Sequence, residues 1–243
     1  MPEGPTTWPP AKSWWSAASG GLSRAIFSTL GAECIASWDA LRRHLGDPQS
    51  ILCLGNGPSS ESPAVRDVHC DRLFRVNWIW SDRARHVSPH LVFTADFDPP
   101  PGRLAPAICF PTRRDATRVL ASYVARGVRL PAVYLVFHEP PADVSMKKWS
   151  CRPTNGALMV AAAALLRPRR LVVAGMDLYR HPDGKYPGLS TEPNDYDPIH
   201  DRALDLAFMS AALNQFEGKI EILSAQLQSA LEVRHRQATN TGT

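Results

Sequence analysis

The chain has little of several things at once. Its five cysteines, Cys34, Cys53, Cys70, Cys109 and Cys151, are odd in number and contain no C-x-x-C pair. Neither a disulfide framework nor a zinc site is indicated. Lys and Arg total 27 against 23 Asp and Glu, a net charge of +4. That excess is too small to argue for nucleic acid, although it suits an anionic ligand. The longest apolar run, Ala157 to Leu166, is about half the length of a membrane span. There is no internal repeat. Residues Met1 to Pro10 are polar and Pro-rich rather than a secretory signal, so a reduced, cytoplasmic compartment is expected.

Proline is plentiful, 22 of 243 residues, about twice the usual share. The remaining balance, 44% hydrophobic and 21% charged, excludes a wholly disordered chain, a collagen and a coiled coil. Folded, a chain of this mass exposes roughly 11,000 Å² against roughly 39,000 Å² unfolded. One hydrophobic core in one main domain is therefore expected.

Residues 1–20 hold Pro2, Pro5, Pro9, Pro10 and three tryptophans, end at the Gly20-Gly21 pair, and read as an irregular arm. Trp8, Trp14 and Trp15 with Lys12 read first as packing on the domain, with a membrane interface or a partner as the alternative. Residues 21–48 read as an N-terminal helix, because Leu22, Ile26, Leu30, Cys34, Trp38, Leu41 and Leu45 recur at three- and four-residue steps. From 49 to 233 the pattern changes. Short apolar runs at Ile51–Leu54, Leu73–Val76, Leu91–Thr94, Ala107–Phe110, Ala132–Phe137, Leu171–Ala174 and Ile220–Leu223 read as strands buried on both faces. Helical stretches at 115–126, 155–166, 201–216 and 225–233 alternate with them. The fold class is then α/β, a single Rossmann-like domain with a mostly parallel sheet flanked by helices. The polar tail 234–243 is expected to fray.

In such a sheet ligands sit beyond the carboxyl ends of the strands, so the residues after each strand matter most. Gly55-Asn56-Gly57-Pro58-Ser59-Ser60 is neither GxGxxG nor a P-loop. It reads as a nucleotide-like loop or a tight turn, with free amides to hold phosphate or ribose oxygens. Asn77 closes the Leu73 run and can both donate and accept. Arg152-Pro153-Thr154-Asn155-Gly156 precedes an apolar helix, whose N-terminus favours an anion; a plain helix cap reads equally well there. Gly175-Met176-Asp177-Leu178-Tyr179, with Tyr186 seven residues on, brings two phenols able to donate to a leaving phosphate. His200 stands before a helix containing Asp205, and a neutral imidazole is the usual general base near pH 7.

Taken in order, these segments resemble the sialyltransferases, most of all the small bacterial enzymes that use CMP-sialic acid and adopt a modified Rossmann, GT-A-like fold. Gly55-Asn56-Gly57-Pro58-Ser59 looks like that family's nucleotide loop, and Leu73-Phe74-Arg75-Val76-Asn77 like its second strand with the cytidine- or sugar-contacting Asn. Arg152-Pro153-Thr154-Asn155-Gly156 resembles its Arg-x-Thr-Ser-Gly segment, and Gly175-Met176-Asp177-Leu178-Tyr179 its Gly-Ile-Asp-Phe-Tyr segment. Tyr186 falls near the second phosphate-binding Tyr and His200 near the catalytic base. The resemblance covers roughly residues 49–225. Asn155 replaces a Ser, no Asn follows the Leu91 strand, and the first 48 residues are extra. These departures leave the donor open among sialic acid, Kdo and another nonulosonic acid.

The resemblance implies an inverting glycosyltransferase acting on a glycan or glycolipid acceptor. The CMP-activated sugar acid is the co-substrate, and neither a cofactor nor a metal is required. It implies His200 as base, with Tyr179 and Tyr186 on the leaving phosphate. Gly55, Asn56, Gly57, Ser59 and Asn77 would hold the nucleotide; Thr154, Asn155 and Gly156 would orient the sugar acid. Arg152 would hold a carboxylate, a phosphate oxygen or the acceptor, and Asp177 would fix its loop. The expected place is the cytoplasm, with peripheral contact at the inner face of the membrane as the alternative reading of the arginines at 113, 114, 118, 167, 169 and 170, which otherwise read as solvated faces. The oligomeric state is left open.

Three other readings compete. Asp96-Phe97-Asp98 or Asp195-Tyr196-Asp197 could hold a divalent metal in a UDP- or GDP-sugar glycosyltransferase. The glycine loop and Gly-x-Asp strand end also resemble flagellin-modifying and pterin-phosphorylating proteins. A non-catalytic nucleotide-binding protein would have no need of the base and phenols.

Overall fold

The computed structural model describes residues 20–81, 83, 85–98, 106–137, 151–184, 186–187 and 199–240. The arm up to residue 19 and the Asp195–Asp197 triplet lie outside the described residues. The elements run α1 (Gly20–Thr29), β1 (Glu33–Ile35), α2 (Trp38–His44), β2 (Ser50–Leu54), a 3-10 turn (Pro58–Glu61), α3 (Pro63–Arg66), β3 (Arg72–Val76) and β4 (Leu91–Phe93). They continue with β5 (Ala107–Phe110), α4 (Arg113–Ala125), β6 (Val133–Val136), α5 (Asn155–Leu165), β7 (Arg170–Ala174), α6 (Arg202–Asn214), β8 (Lys219–Ile222) and α7 (Ala225–Asn240).

The strands form one sheet in the order β1-β6-β5-β4-β3-β2-β7-β8, and every pairing is parallel. Side chains alternate between its faces. Ile51, Cys53, Phe74, Leu91 and Phe93 enter one core with α5 and α6. Val92, Ile108, Phe110 and Tyr134 meet Val119 and Tyr123 of α4 in another, on the far side. Leu52 and Leu54 pack with Val65 of α3. Both faces are covered, which explains why the strand runs are apolar without alternation. Helix α5 is apolar all round because it is buried against the sheet and α6, with Ala161 to Ala164 letting the neighbours approach. Among the described residues no helix is long and apolar enough to cross a membrane.

Two expectations need correction. The 21–48 segment expected as one helix is two helices and an edge strand. Gly31, at φ +86°, ends α1 in a Schellman turn: the Ala32 N–H reaches the Phe27 carbonyl at 2.8 Å and the Gly31 N–H that of Ser28 at 3.0 Å. Residues Glu33 to Ile35 then pair with β6, and Ser37 caps α2 by accepting the Ala40 N–H. Apolar spacing continued through the glycine by coincidence; Ile26 and Leu30 are in fact exposed. Helix α7 also runs further than the 225–233 stretch expected, to Asn240.

Candidate active site

With every strand parallel, all carboxyl ends lie along one edge. The chain leaves β2 toward β3 on one side, whereas β7, on the other side, leads to β8. Loops that diverge this way open a crevice at the switch point. A cleft lies there. Its walls are Gly55 to Pro58 after β2, Val76 and Asn77 at the end of β3, Thr154 to Gly156 entering α5, Gly175 to Tyr179 after β7, and His181, Gly184, Tyr186, His200 and Asp205. Five segments far apart in sequence thus meet at one site.

The two glycine-bearing loops are stitched to each other. The Gly55 N–H bonds the Ala174 carbonyl at 2.8 Å and the Gly57 N–H the Gly175 carbonyl at 2.9 Å. A methyl at Gly55 would stand 2.3 Å from the Gly175 oxygen, and one at Gly57 2.4 Å from an Asp177 oxygen. These glycines serve loop-to-loop packing, and their amides are engaged within the protein. That corrects the expectation of free amides at Gly55 and Gly57 for a ligand. Asp177 accepts both the N–H and the hydroxyl of Ser59, and the Ser59 hydroxyl also meets that of Ser224. Asp177 therefore latches the loops together, and Ser59 is not among the residues lining the cleft.

Asn56 is held on both sides of its carboxamide. Its Nδ2 donates to the Val76 carbonyl at 3.0 Å, and its Oδ1 accepts from Arg75 at 3.3 Å. Asn77 sits in the left-handed region at φ +50°, which Asn tolerates better than most residues. Its Oδ1 accepts from Asn155 Nδ2 at 2.9 Å, leaving its own Nδ2 as the donor the amide can offer. Thr154 caps α5 by accepting the Ala157 N–H. Its own N–H and hydroxyl go to the buried Asp205 carboxylate at 2.8 and 2.7 Å. Asp205 thereby ties α6 to the start of α5, and the partly positive helix end of Asn155 and Gly156 lines the cleft.

After β7 the chain turns sharply, with Gly175, Leu178 and Tyr179 all at positive φ. The turn brings Tyr179 to Tyr186, whose hydroxyl donates to that of Tyr179 at 3.1 Å. Burial, and then the neighbouring Tyr179, raise the Tyr186 phenol well above its ordinary range, while Arg83 pulls the other way. The phenol is a neutral donor at any working pH.

His200 pairs with Arg152 in a short parallel bridge. Its Nδ1 lies 2.9 Å from the Arg152 carbonyl. A carbonyl only accepts, so Nδ1 carries the proton, and in the neutral ring Nε2 carries the lone pair. Arg152 acts here through its backbone. Its guanidinium faces Asp115 in the first turn of α4 at 3.6 Å and does not line the cleft.

His181 and Met176 line the cleft although the sequence reading singled out neither. His181 follows Tyr179 by two residues, so reading the post-β7 loop to its end would have found it. Arg83, beneath the glycine loop, had no such signal. Asp96 and Asp98 do not line the cleft; the Thr94 hydroxyl accepts the Asp96 N–H, and the Asp98 carbonyl accepts the Tyr123 hydroxyl.

No family model and no curated protein matches the chain. Among solved structures it is similar to the sialyltransferase CstII from Campylobacter jejuni in complex with a substrate analogue, CMP-3FNeuAc, at 17% identity and TM-score 0.48, over 72% of this chain and 81% of that one. It is also similar to the monofunctional alpha-2,3-sialyltransferase Cst-I from Campylobacter jejuni, at 16% identity and TM-score 0.44, over 73% and 76%. An apo alpha-2,3-sialyltransferase from the same organism is similar at 13% identity and TM-score 0.39, over 73% and 76%.

Proposed function

We propose that the chain transfers a keto sugar acid, sialic acid or a related acid such as Kdo, from its CMP-activated form to a glycan, with inversion. One observation carries the reading. A histidine with Nδ1 bonded to a carbonyl shares a strand-end cleft with two mutually bonded phenols. Simple nucleotide binding requires no such base.

In the proposed step the acceptor oxygen attacks the anomeric carbon as the bond from that carbon to the CMP phosphate oxygen breaks. His200 Nε2 takes the acceptor's proton, a contribution of about 10²–10⁴-fold. The bonding electrons leave with the phosphate, where Tyr179 donates a hydrogen bond and Tyr186 turns its hydroxyl proton from Tyr179 to the phosphate. Asn77 and the Asn56 N–H of the glycine loop hold the nucleotide, while Asn155 and the α5 N-terminus face the sugar carboxylate. Thr154, Asp205, Asp177 and Ser59 keep these groups in register. A glycolipid acceptor would bring the protein to the inner face of a membrane.

The test has two arms. CMP, UDP, GDP, CMP-sialic acid and CMP-Kdo are compared for their effect on the melting temperature. A ligand at 100 times its Kd adds about 2.7 kcal/mol, or roughly 5–10 °C at this size, and a CMP compound should give the largest shift. Transfer and CMP affinity are then measured for His200→Ala. Transfer should fall by about 10²–10⁴ with CMP affinity retained. Undiminished transfer, or binding lost together with transfer, overturns the role of His200.

A further inference from the structure

Two arginines lie beneath the glycine loop. Arg75, next to last in β3, is 1% exposed. Its guanidinium stands 5.2 Å over the Trp80 ring and donates to Asn56 Oδ1. Arg83 has a side chain only 9% exposed. It gives one terminal nitrogen to Ser60 at 2.7 Å and Glu61 at 3.2 Å, and the other to the Asn56 carbonyl at 3.1 Å. Among the described residues the Nε of each arginine is buried without a partner.

The charges there do not balance among the described residues. Among the described residues Glu61 is the carboxylate bonded to this pair, and its side chain is 48% exposed, so much of its field is spent on water. Arg75 has neutral partners, an amide and an indole. Burying an ion with so little compensation is expensive, and neutral donors would serve the Asn56 carbonyl and the Ser60 hydroxyl equally well. Consistent with this, burial holds both guanidinium groups below their ordinary range; Arg83 lowers Arg75 further, and Glu61 offsets part of the shift at each.

Both arginines converge on Asn56, which lines the cleft. Arg83 also acts electrostatically on Tyr186, at the phosphate end proposed above. The Asp177 carboxylate acts on Tyr186 in the opposite sense, but it is engaged by the Ser59 N–H and hydroxyl. We infer that Arg83, backed by Arg75, is a positioning residue whose fixed positive charge makes the cleft selective for a nucleoside monophosphate over the bare nucleoside. The arriving phosphate completes the charge balance that the described residues leave open. This rests on the proposed function only for the identity of the nucleoside.

The test is a pairwise affinity measurement by calorimetry. CMP is compared with cytidine, UMP with uridine and GMP with guanosine, on the full chain and on Arg83→Gln, Arg83→Lys and Glu61→Gln. Arg83→Gln should weaken CMP about tenfold, or about 1.4 kcal/mol, and leave cytidine within about twofold. Arg83→Lys should keep the CMP-to-cytidine ratio, because it keeps the charge while losing the three-way bonding. Glu61→Gln, a change at a half-exposed side chain, should raise that ratio by removing the counter-charge. The Glu61 arm decides the matter even where Arg83→Gln does not fold. Equal weakening of CMP and cytidine in both Arg83 variants, or a ratio unmoved in Glu61→Gln, overturns the inference. If UMP or GMP binds best and its preference over the nucleoside follows Arg83, the inference stands and the CMP reading fails. No binding by any nucleotide removes both.

Discussion

Gly57→Ala tests how the cleft is built. The backbone at Gly57 lies at φ −61° and ψ 159°, a conformation alanine adopts without strain. At such a site Gly→Ala usually stabilises by about 0.4–1 kcal/mol, because the unfolded chain loses freedom. Here the sign should reverse. The added methyl would lie 2.4 Å from Asp177 Oδ2, 2.8 Å from its Cγ and 2.9 Å from the Gly175 carbonyl oxygen, well inside a contact distance of about 3.5 Å. The Gly175 oxygen is backbone and already bonded to the Gly57 N–H, so it cannot swing away. The Asp177 carboxylate can move, but only by releasing the Ser59 N–H and hydroxyl.

Hydrogen bonds to a charged group are worth about 1.5–3 kcal/mol each, so losing the two should cost about 3–6 kcal/mol. At roughly 2–4 °C per kcal/mol for a chain of this size, the melting temperature falls by about 10 °C. The assay is thermal unfolding by circular dichroism, with Gly127→Ala as control. Gly127 has φ +64° and nothing within 4 Å of the built methyl, so alanine there meets only the left-handed backbone penalty of about 1–2 kcal/mol. A double variant with Asp177→Ala isolates the clash, because the carboxylate is then gone and the two changes should be strongly non-additive. A Gly57→Ala protein as stable as its parent, or an equal loss with and without Asp177, would refute the account of stitched loops.

Tyr186→Phe should lower turnover about 10²–10³-fold, the usual effect of one donor to a developing anion, with CMP affinity nearly unchanged; a matching loss of affinity would assign Tyr186 to ground-state binding instead. At the opposite, amino end of the sheet, Arg170 grips Glu221 through two nitrogens at 2.9 and 2.8 Å, Lys219 adds a contact at 2.8 Å, and the carboxyl is held down at about 2. A folded value below the unfolded 4.5 means stability present above about pH 4.5 and lost as pH falls toward about 2. Glu221→Gln should therefore shrink the drop in melting temperature between about pH 6 and pH 3, modestly because the pair is part-exposed; an unchanged drop would count against the ion pair.

The strands were legible because both sheet faces are covered. Ile51–Leu54 and Leu171–Ala174 have few polar residues to confuse the pattern, and their ends match β2 and β7 closely. Strand order was not legible. Nothing local in β7 says that it pairs with β2 rather than with its predecessor β6; that choice belongs to the crossover through α5. The N-terminal segment misled for a different reason. A three- and four-residue apolar rhythm runs through Gly31, and one glycine at a helix end outweighs the rhythm by supplying the left-handed residue that a Schellman turn needs.

At the site, proximity was legible and orientation was not. The parallel sheet forces every post-strand segment to one edge, so Asn77, Tyr179 and His200 could be grouped without coordinates. Which atoms turn toward a ligand depends on packing between loops, and there Gly55, Gly57 and Arg152 differ from the reading: their backbone groups bind other protein groups. Arg75 carried a signal that went unused. It stands between Phe74 and Val76 in a strand buried on both faces, where an ordinary surface arginine has no place. A guanidinium in that position must meet a partner inside the protein or at a site that opens onto it. Its neighbour Asn56, on the wall of the cleft, gives the second answer, which is why the charge beneath the loop belongs with the site's chemistry rather than with the core.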